Sequence, residues 1–202
     1  MAILTNKQFH KEFLFIHIPR TAGRFIEANL LSHNGFTWKN THNLSSMYGT
    51  LHGIEYDHFH REYYEKYLPS KNIPHVTIIR NPIDRFLSAS SFLTRMYGDC
   101  QKQMENEYYF FSLLEHFPLS EAINWFRPQI DFISPNTHIW KYENNFTEPF
   151  SLWLSNILNI PITMNPNIEY TRAPDIGYKL KRTAPLINNI ERLYEKDMEW
   201  YS

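Results

Sequence analysis

Residues 13–30 constrain the fold of this chain more than any other stretch. They begin with a nearly unbroken apolar run at 13–18, which is typical of a strand covered on both faces. Pro19 ends the strand pattern, Gly23 allows close backbone approach or a positive φ, and a helix is predicted from Arg24. A strand that passes through a tight turn into a helix predicts an α/β fold.

The turn in this segment has the composition of an anion site. Backbone N–H groups at a helix start are unpaired and point outward, so an anion can dock there. Arg20 and Arg24 add positive charge and Thr21 adds a hydroxyl. The pattern is not a Walker A loop, which needs G-x-x-x-x-G-K-[ST]. On these residues alone, a phosphate cradle and an ordinary strand–turn–helix junction both remain open.

A second unit at residues 75–96 repeats the arrangement. An apolar run at 75–80 ends at Arg80, and the next residues have the types favoured at the cap and first turn of a helix: Asn81, Pro82 and Asp84. Ser88 is expected about two turns into that helix. Ligands of open α/β sheets bind at the carboxyl ends of strands. The repeat therefore favours a ligand site over a surface ion pair between Arg80 and Asp84.

Composition limits the class of protein. The 202 residues, 43% hydrophobic and 20% charged, predict one globular domain, residues 1–202. A net charge of −1 gives no general attraction for nucleic acid. The single cysteine, Cys100, excludes an internal disulfide framework and a cysteine-rich zinc site. No apolar run of about 18 residues is present, and residues 1–12 are too polar for a signal peptide, so we expect a soluble cytoplasmic protein without a membrane span.

Other patterns complete the predicted architecture. Helices are expected at 59–68, 101–117 and 120–126, after Thr147, and from about Thr183. Strands are expected at 35–42 and 138–142, and loops at 43–57 and 160–176. The helix after Thr147 has an apolar stripe that we interpret as core: Phe150, Trp153, Leu154, Ile157 and Leu158.

Two motifs together resemble the sulfotransferase superfamily, on its carbohydrate-sulfotransferase side. Residues 17–23 read H-I-P-R-T-A-G and residues 79–88 read I-R-N-P-I-D-R-F-L-S. The family has a 5′-phosphosulfate loop of the form H-I-P-K-T-A-G-T-S and a 3′-phosphate motif of the form R-N-P-x-D-R-x-x-S. Weaker matches occur at 127–129, 140–143 and 193–197. The resemblance implies a three-layer P-loop-like domain with a central parallel sheet flanked by helices.

The resemblance also implies the cofactor and the residues that bind it. The sulfuryl donor would be 3′-phosphoadenosine 5′-phosphosulfate (PAPS), with 3′-phosphoadenosine 5′-phosphate (PAP) as product and no metal. The 5′ phosphate would be held by the first motif: Arg20, Thr21, Ala22, Gly23, Arg24 and Phe25. Arg80 and Ser88 would hold the 3′ phosphate, and residues 172–182 would close over the nucleotide.

Two departures from the family pattern bear on activity. Arg20 stands where the family usually has lysine, and Arg24 and Phe25 replace a pair of small hydroxyl residues. An arginine can stabilise charge on the leaving phosphate through two hydrogen bonds, but it does not donate a proton. These changes leave room for a degenerate enzyme.

The transfer also needs a base that takes the proton of the acceptor hydroxyl. Histidine suits this role because its ordinary pKa is about 6.5. Family members place a histidine before the 3′-phosphate strand, where His52, His58 and His60 compete. Residues 51–56 most resemble the base-bearing stretch, so we predict His52 as the base and His58 as the alternative. We interpret His58 and His60 as solvated histidines at a helix start rather than metal ligands, and His17 as a structural histidine.

The predicted function is sulfuryl transfer from PAPS to a hydroxyl acceptor, with a sugar as the expected acceptor. A P-loop small-molecule kinase is one alternative, although neither a Walker A lysine nor a magnesium carboxylate is evident. A non-catalytic nucleotide- or polyanion-binding module of the same fold is another. The third is an interaction protein that uses its aromatic surface.

Overall fold

A five-stranded sheet organises the part of the chain that the computed structural model describes, namely residues 2–39, 50–51, 54–68, 70–96, 121–169 and 180–202. The strands are β1 (Ala2–Asn6), β2 (Lys11–Ile16), β3 (Phe36–Trp38), β4 (Thr50–Leu51), β5 (Ile54–Glu55), β6 (His75–Ile79) and β7 (Thr137–Lys141). The α-helices are α1 (Gly23–His33), α2 (Arg61–Tyr67), α3 (Pro82–Met96), α4 (Glu148–Leu158), α5 (Ala184–Leu193) and α6 (Glu195–Tyr201). Short 3₁₀ helices lie at Tyr56–His58, Glu121–Phe126, Gln129–Phe132 and Tyr142–Asn144.

The sheet has the strand order β3-β1-β2-β6-β7 and is mixed. β2 and β6 pair in parallel, as do β6 and β7, whereas β1 runs antiparallel to both β2 and β3. The predicted parallel sheet is therefore confirmed for β2, β6 and β7 and wrong for β1. Only residues 7–10 connect β1 to β2, and a connection this short permits an antiparallel pair alone.

Helices cover both faces of the sheet, because β2 is apolar on both sides. On one face Phe13 and Phe15 pack against α1 and α4. On the other face Leu14 and Ile16 pack against α2 and the 3₁₀ segment at Gln129–Phe132. The predicted three-layer arrangement of helix, sheet and helix is confirmed. In the predicted stripe of α4, Phe150, Leu154 and Leu158 are buried, and Trp153 and Ile157 pack partly buried beside them.

The start of α3 follows its sequence signals. The side-chain oxygen of Asn81 accepts hydrogen bonds from the backbone N–H groups of Ile83 (3.0 Å) and Asp84 (3.2 Å). Phe86 and Ala89 of α3 then pack with α5 and the 3₁₀ helix Glu121–Phe126 in a third apolar cluster. The cap and this packing fix the position at which α3 leaves β6.

Several predicted elements differ from the structure. Part of the predicted loop at 43–57 contains the β4–β5 hairpin, and the predicted helix at 120–126 is 3₁₀. The last predicted helix is two helices, α5 and α6, that meet at Tyr194. The predicted helix at 101–117 lies outside the described residues, as do residues 170–179, which include most of the segment expected to close over the nucleotide. In the described part of the chain, no helix is long and apolar enough to cross a membrane.

Candidate functional site

The loop between β2 and α1 has an unusual backbone. Arg20 and Ala22 adopt left-handed conformations with φ of 69° and 71°. For residues other than glycine this geometry costs about 1–2 kcal/mol each and persists where the surroundings impose it, commonly at ligand sites. The hydroxyl of Thr21 donates to the carbonyl of Ile18 at 2.8 Å, a buried hydrogen bond that closes the turn. The turn therefore delivers the backbone to the start of α1 in a fixed conformation.

A buried histidine forms the floor of this loop. A Cβ at position 23 would lie 2.0 Å from the imidazole of His17, so only glycine allows the helix to start this close to the ring. Nδ1 of His17 lies 3.1 Å from Oε1 of Glu27. Burial alone would raise the pKa of Glu27, but attraction and hydrogen bonding to His17 outweigh it and lower the pKa overall. The expectation of a hydrogen-bonded, structural His17 is confirmed.

Hydrogen bonds join the two motifs predicted from the sequence. Nε of Arg20 donates to the hydroxyl of Ser88 at 3.1 Å, and the guanidinium lies 4.8 Å from the centre of the Phe92 ring. Nη1 of Arg80 donates to the carbonyl of Arg20 at 3.3 Å. The carboxyl ends of β2 and β6 are adjacent in the sheet, which brings these residues together.

Arg80 does not form the surface ion pair with Asp84 that the sequence allows. Its guanidinium lies 4.5 Å from the centre of the Tyr142 ring, and its buried Nε makes no hydrogen bond to any residue that the structure describes. Asp84, the partner considered from the sequence, accepts a hydrogen bond from Arg182 instead. A buried N–H without an acceptor costs free energy that a bound anion would recover.

The family model described as "Sulfotransferase family" matches residues 5–202. The chain belongs to the sulfotransferase family. No curated protein and no solved structure matches it. Membership confirms the resemblance drawn from the two motifs and supports sulfotransferase activity in general terms, with a sulfate donor and a hydroxyl-type acceptor.

In this sulfotransferase, an aromatic contact occupies the position of a hydroxyl found in the family's usual loop. The ring of Phe25 packs 5.8 Å from that of Phe146, which packs 5.6 Å from Tyr142, the ring beneath Arg80. Arg24, the other departure, is exposed. The replacement therefore links the first motif to the second through side-chain packing.

Of the two candidate bases, the structure describes His58 but not His52. His52 lies outside the described residues, between the paired strands β4 and β5 in the sequence. Nδ1 of His58 lies 2.9 Å from the carbonyl of His17, and because a carbonyl only accepts, Nδ1 must carry a proton. Burial, followed by repulsion from His17, lowers the pKa of His58 well below its ordinary value. His58 is therefore neutral at pH 7, and its hydrogen bond to His17 supports the start of the loop between β2 and α1.

The interpretation of His58 and His60 as solvated residues is wrong. His58 packs edge-on against His17 with ring centres 4.7 Å apart, and His60 is buried beside Tyr63. The reason is the turn at Tyr56–His58, which directs the chain back against β2. Among the residues that the structure describes, no group of three His, Cys, Asp or Glu side chains could hold a metal ion.

Sequence reasoning missed three buried polar residues in or near the second motif. Arg85 is fully buried and donates to the carbonyls of Trp125 (3.0 Å) and Arg127 (2.6 Å). Gln129 and Asp197, which lie within weaker family matches, are also buried. Helical spacing could have indicated the burial of Arg85, because it lies next to Phe86 and one turn before Ala89 on the apolar face of α3.

Proposed function

We propose that this sulfotransferase uses PAPS as donor and transfers its sulfuryl group to a sugar hydroxyl. The observation that carries the proposal is the connection of Arg20 to Ser88 and of Arg80 to the Arg20 carbonyl. It brings the cations of both motifs to one sheet edge, where a ligand with separate 5′ and 3′ phosphates would meet them. The sugar class rests on the resemblance to carbohydrate sulfotransferases, and residues 1–202 are proposed to act as one domain.

The residues divide between the two ends of the donor. Backbone N–H groups at the start of α1, with Thr21, Ala22, Gly23, Arg24 and Phe25, would hold the 5′ phosphate. Arg80 and Ser88 would hold the 3′ phosphate. Arg20 would stabilise the charge that develops on the leaving phosphate.

The reaction is an in-line displacement at sulfur. The acceptor oxygen forms a bond to sulfur while the bond from sulfur to the 5′-phosphate oxygen breaks. The acceptor proton passes to a base, for which we propose His52, with His58 as the alternative. His52 is six residues from His58, which contacts the donor loop, and such a segment spans at most about 20 Å. That reach is compatible with a base beside the sulfuryl group.

Binding of PAP is expected to raise the melting temperature, and this experiment tests the proposed donor. Ligand at 100 times its Kd stabilises a protein by about 2.7 kcal/mol. For a chain of this length, this corresponds to roughly 5–10 °C. ATP with magnesium should have a much smaller effect, because it lacks the 3′ phosphate. Thermal-shift data in which ATP equals or exceeds PAP would favour the kinase alternative.

A non-catalytic module of the same fold is the second candidate. The observation in its favour is Phe25, whose ring packs on Phe146 where the family usually has a hydroxyl. This module would be stabilised by PAP as strongly as an enzyme would be. It would not transfer labelled sulfate from PAPS to any member of a panel of sugars and glycans.

The Arg80→Ala variant is expected to lose affinity for the 3′ phosphate. Hydrogen bonds to charged groups contribute about 1.5–3 kcal/mol, so the Kd for PAP should rise roughly 10- to 150-fold. Adenosine 5′-phosphosulfate has no 3′ phosphate and should bind variant and wild type about equally. Titration calorimetry with both ligands gives the comparison.

Arg80→Lys is the matched variant, because it keeps the charge and should retain part of the PAP affinity. If Arg80→Ala weakens both ligands equally, Arg80 supports the fold rather than the 3′ phosphate, and the assignment is wrong.

A further inference from the structure

We propose that Gln129 and Asp197 are positioning residues that set the preference of the donor site for a 3′-phosphorylated nucleotide, an inference that rests on the proposed PAPS function. Neither side chain is expected to touch the nucleotide. They act by fixing the position of Arg80. Because Asp197 lies on α6, this helix also supports the donor site.

The side chain of Gln129 holds the backbone of Arg80 from both sides. Its Oε1 accepts the Arg80 N–H at 2.9 Å, and its Nε2 donates to the Arg80 carbonyl at 2.8 Å. Arg80 follows the last residue of β6, so no ladder hydrogen bonds of that strand extend to it. The amide of Gln129 replaces a neighbouring strand at this single residue and fixes the direction in which Arg80 leaves the sheet.

Asp197 in turn holds the segment that carries Gln129. Its two carboxylate oxygens accept the backbone N–H groups of Gln129 (2.7 Å) and Ile130 (3.0 Å). Asp197 and Gln129 are each 3% exposed. A carboxylate that accepts two N–H groups at the start of a 3₁₀ turn is a strong, directional attachment in such a buried place. The chain of contacts runs from α6 through Gln129 to Arg80.

The far end of α6 is also fastened to the sheet. Nζ of Lys141, the last residue of β7, donates to the carbonyl of Tyr201 at 2.5 Å and lies 4.7 Å from the centre of its ring. α6 is therefore attached through Asp197 and again through Tyr201. Because α6 is fixed at two places, it can hold Arg80 in a constant position relative to the bound phosphate.

The precision matters because Arg80 must serve two contacts at once. Its Nη1 donates to the Arg20 carbonyl, and its guanidinium lies over the Tyr142 ring. A small rotation of the Arg80 backbone would displace the guanidinium from both contacts and from the phosphate. Groups that orient the ligands of a metal contribute about 10- to 100-fold to its affinity, and we expect an effect at the lower end of that range here.

The test compares the Kd of PAP with that of adenosine 5′-monophosphate, which differs only in lacking the 3′ phosphate. Gln129→Met keeps the length of the side chain and removes both hydrogen bonds. We expect it to weaken PAP about 10-fold while changing the monophosphate less than about 2-fold. Asp197→Asn, which replaces one accepting oxygen with a donor, should act in the same direction.

Tyr194→Phe is the matched control. The Tyr194 hydroxyl donates to the Phe126 carbonyl at 2.6 Å in the same region, and its loss removes a buried hydrogen bond of comparable kind. This variant should lower the melting temperature and leave the ratio of the two Kd values unchanged. If Tyr194→Phe shifts the ratio as much as Gln129→Met does, or if Gln129→Met weakens both nucleotides equally, the positioning role is overturned.

Hydrogen exchange separates failure of this inference from failure of the donor proposal. Asp197→Asn should reduce protection of the Arg80 amide while the amides of residues 76–79 keep theirs. Wild-type protein that binds both nucleotides equally would refute the donor proposal and, with it, the 3′-phosphate preference assigned to these residues. Unchanged protection of Arg80 in Asp197→Asn would refute the positioning chain itself, whatever the nucleotide.

Discussion

Replacing His52 with alanine is expected to lower turnover by about 10²–10⁴-fold, the usual contribution of a positioned general base. Affinity for PAP should stay nearly unchanged, because the base contacts the acceptor and not the nucleotide. The wild-type rate should fall as the pH drops through about 6–7, where an ordinary imidazole gains a proton and ceases to act as a base. Initial rates with labelled PAPS and an acceptor found by screening sugars measure both effects.

His58→Asn is the informative control for this prediction. The asparagine amide nitrogen can replace Nδ1 as donor to the His17 carbonyl, so the brace is kept while the imidazole is lost. This variant should retain most of the wild-type rate. If it abolishes transfer while His52→Ala does not, the base is His58. The pH at which the wild-type rate falls would then lie lower, because burial lowers the pKa of His58.

The Arg20→Ala variant is expected to lose about 10²–10³ in turnover, the range found when one preorganised donor to a developing charge is removed. Nε of Arg20 donates to the hydroxyl of Ser88 at 3.1 Å, which restricts the position of the guanidinium before a donor binds. The φ of 69° at this position is equally strained for alanine and arginine, so the substitution tests the side chain and not the turn. Single-turnover rates at saturating donor give the measurement.

Arg20→Lys separates charge from geometry at the same position. Lysine is the residue that the family usually has here, and it should restore much of the rate as a point charge. Arg20→Ala with more than a third of the wild-type turnover would remove Arg20 from the catalytic machinery. Absence of transfer by the wild-type protein itself would instead favour the non-catalytic module.

Local signals in the sequence predicted the elements that build the site. The cap formed by Asn81 and the first turn of α3 depend on residues within four positions of one another, and the structure has the helix where the pattern placed it. The close approach at Gly23 was also readable as a requirement for glycine. Its partner, the ring of His17, was not assigned from the sequence.

Pairing across distance was less predictable. Nothing within residues 2–6 indicates that they pair with both β2 and β3, since strand partners are chosen by burial in the complete sheet. The clamp of Gln129 on Arg80 joins segments 49 residues apart, and no spacing rule predicts it. The burial of His60 and the packing of His58 against His17 likewise depend on how the chain folds back over β2.

The hydrogen bonds around Arg80 have a consequence for how the protein acquires its activity. They link residues separated by 68, 60, 49 and 68 positions, from Arg20 to Asp197. Contacts this distant in sequence require large loops to close and are therefore formed slowly. In a chain that has formed its helices but not these hydrogen bonds, Arg20 and Arg80 are not yet held together at the proposed nucleotide site. If the proposed donor site is correct, binding of PAP should therefore require the docked α6, and a chain in which Asp197 has not yet met Gln129 should bind it weakly.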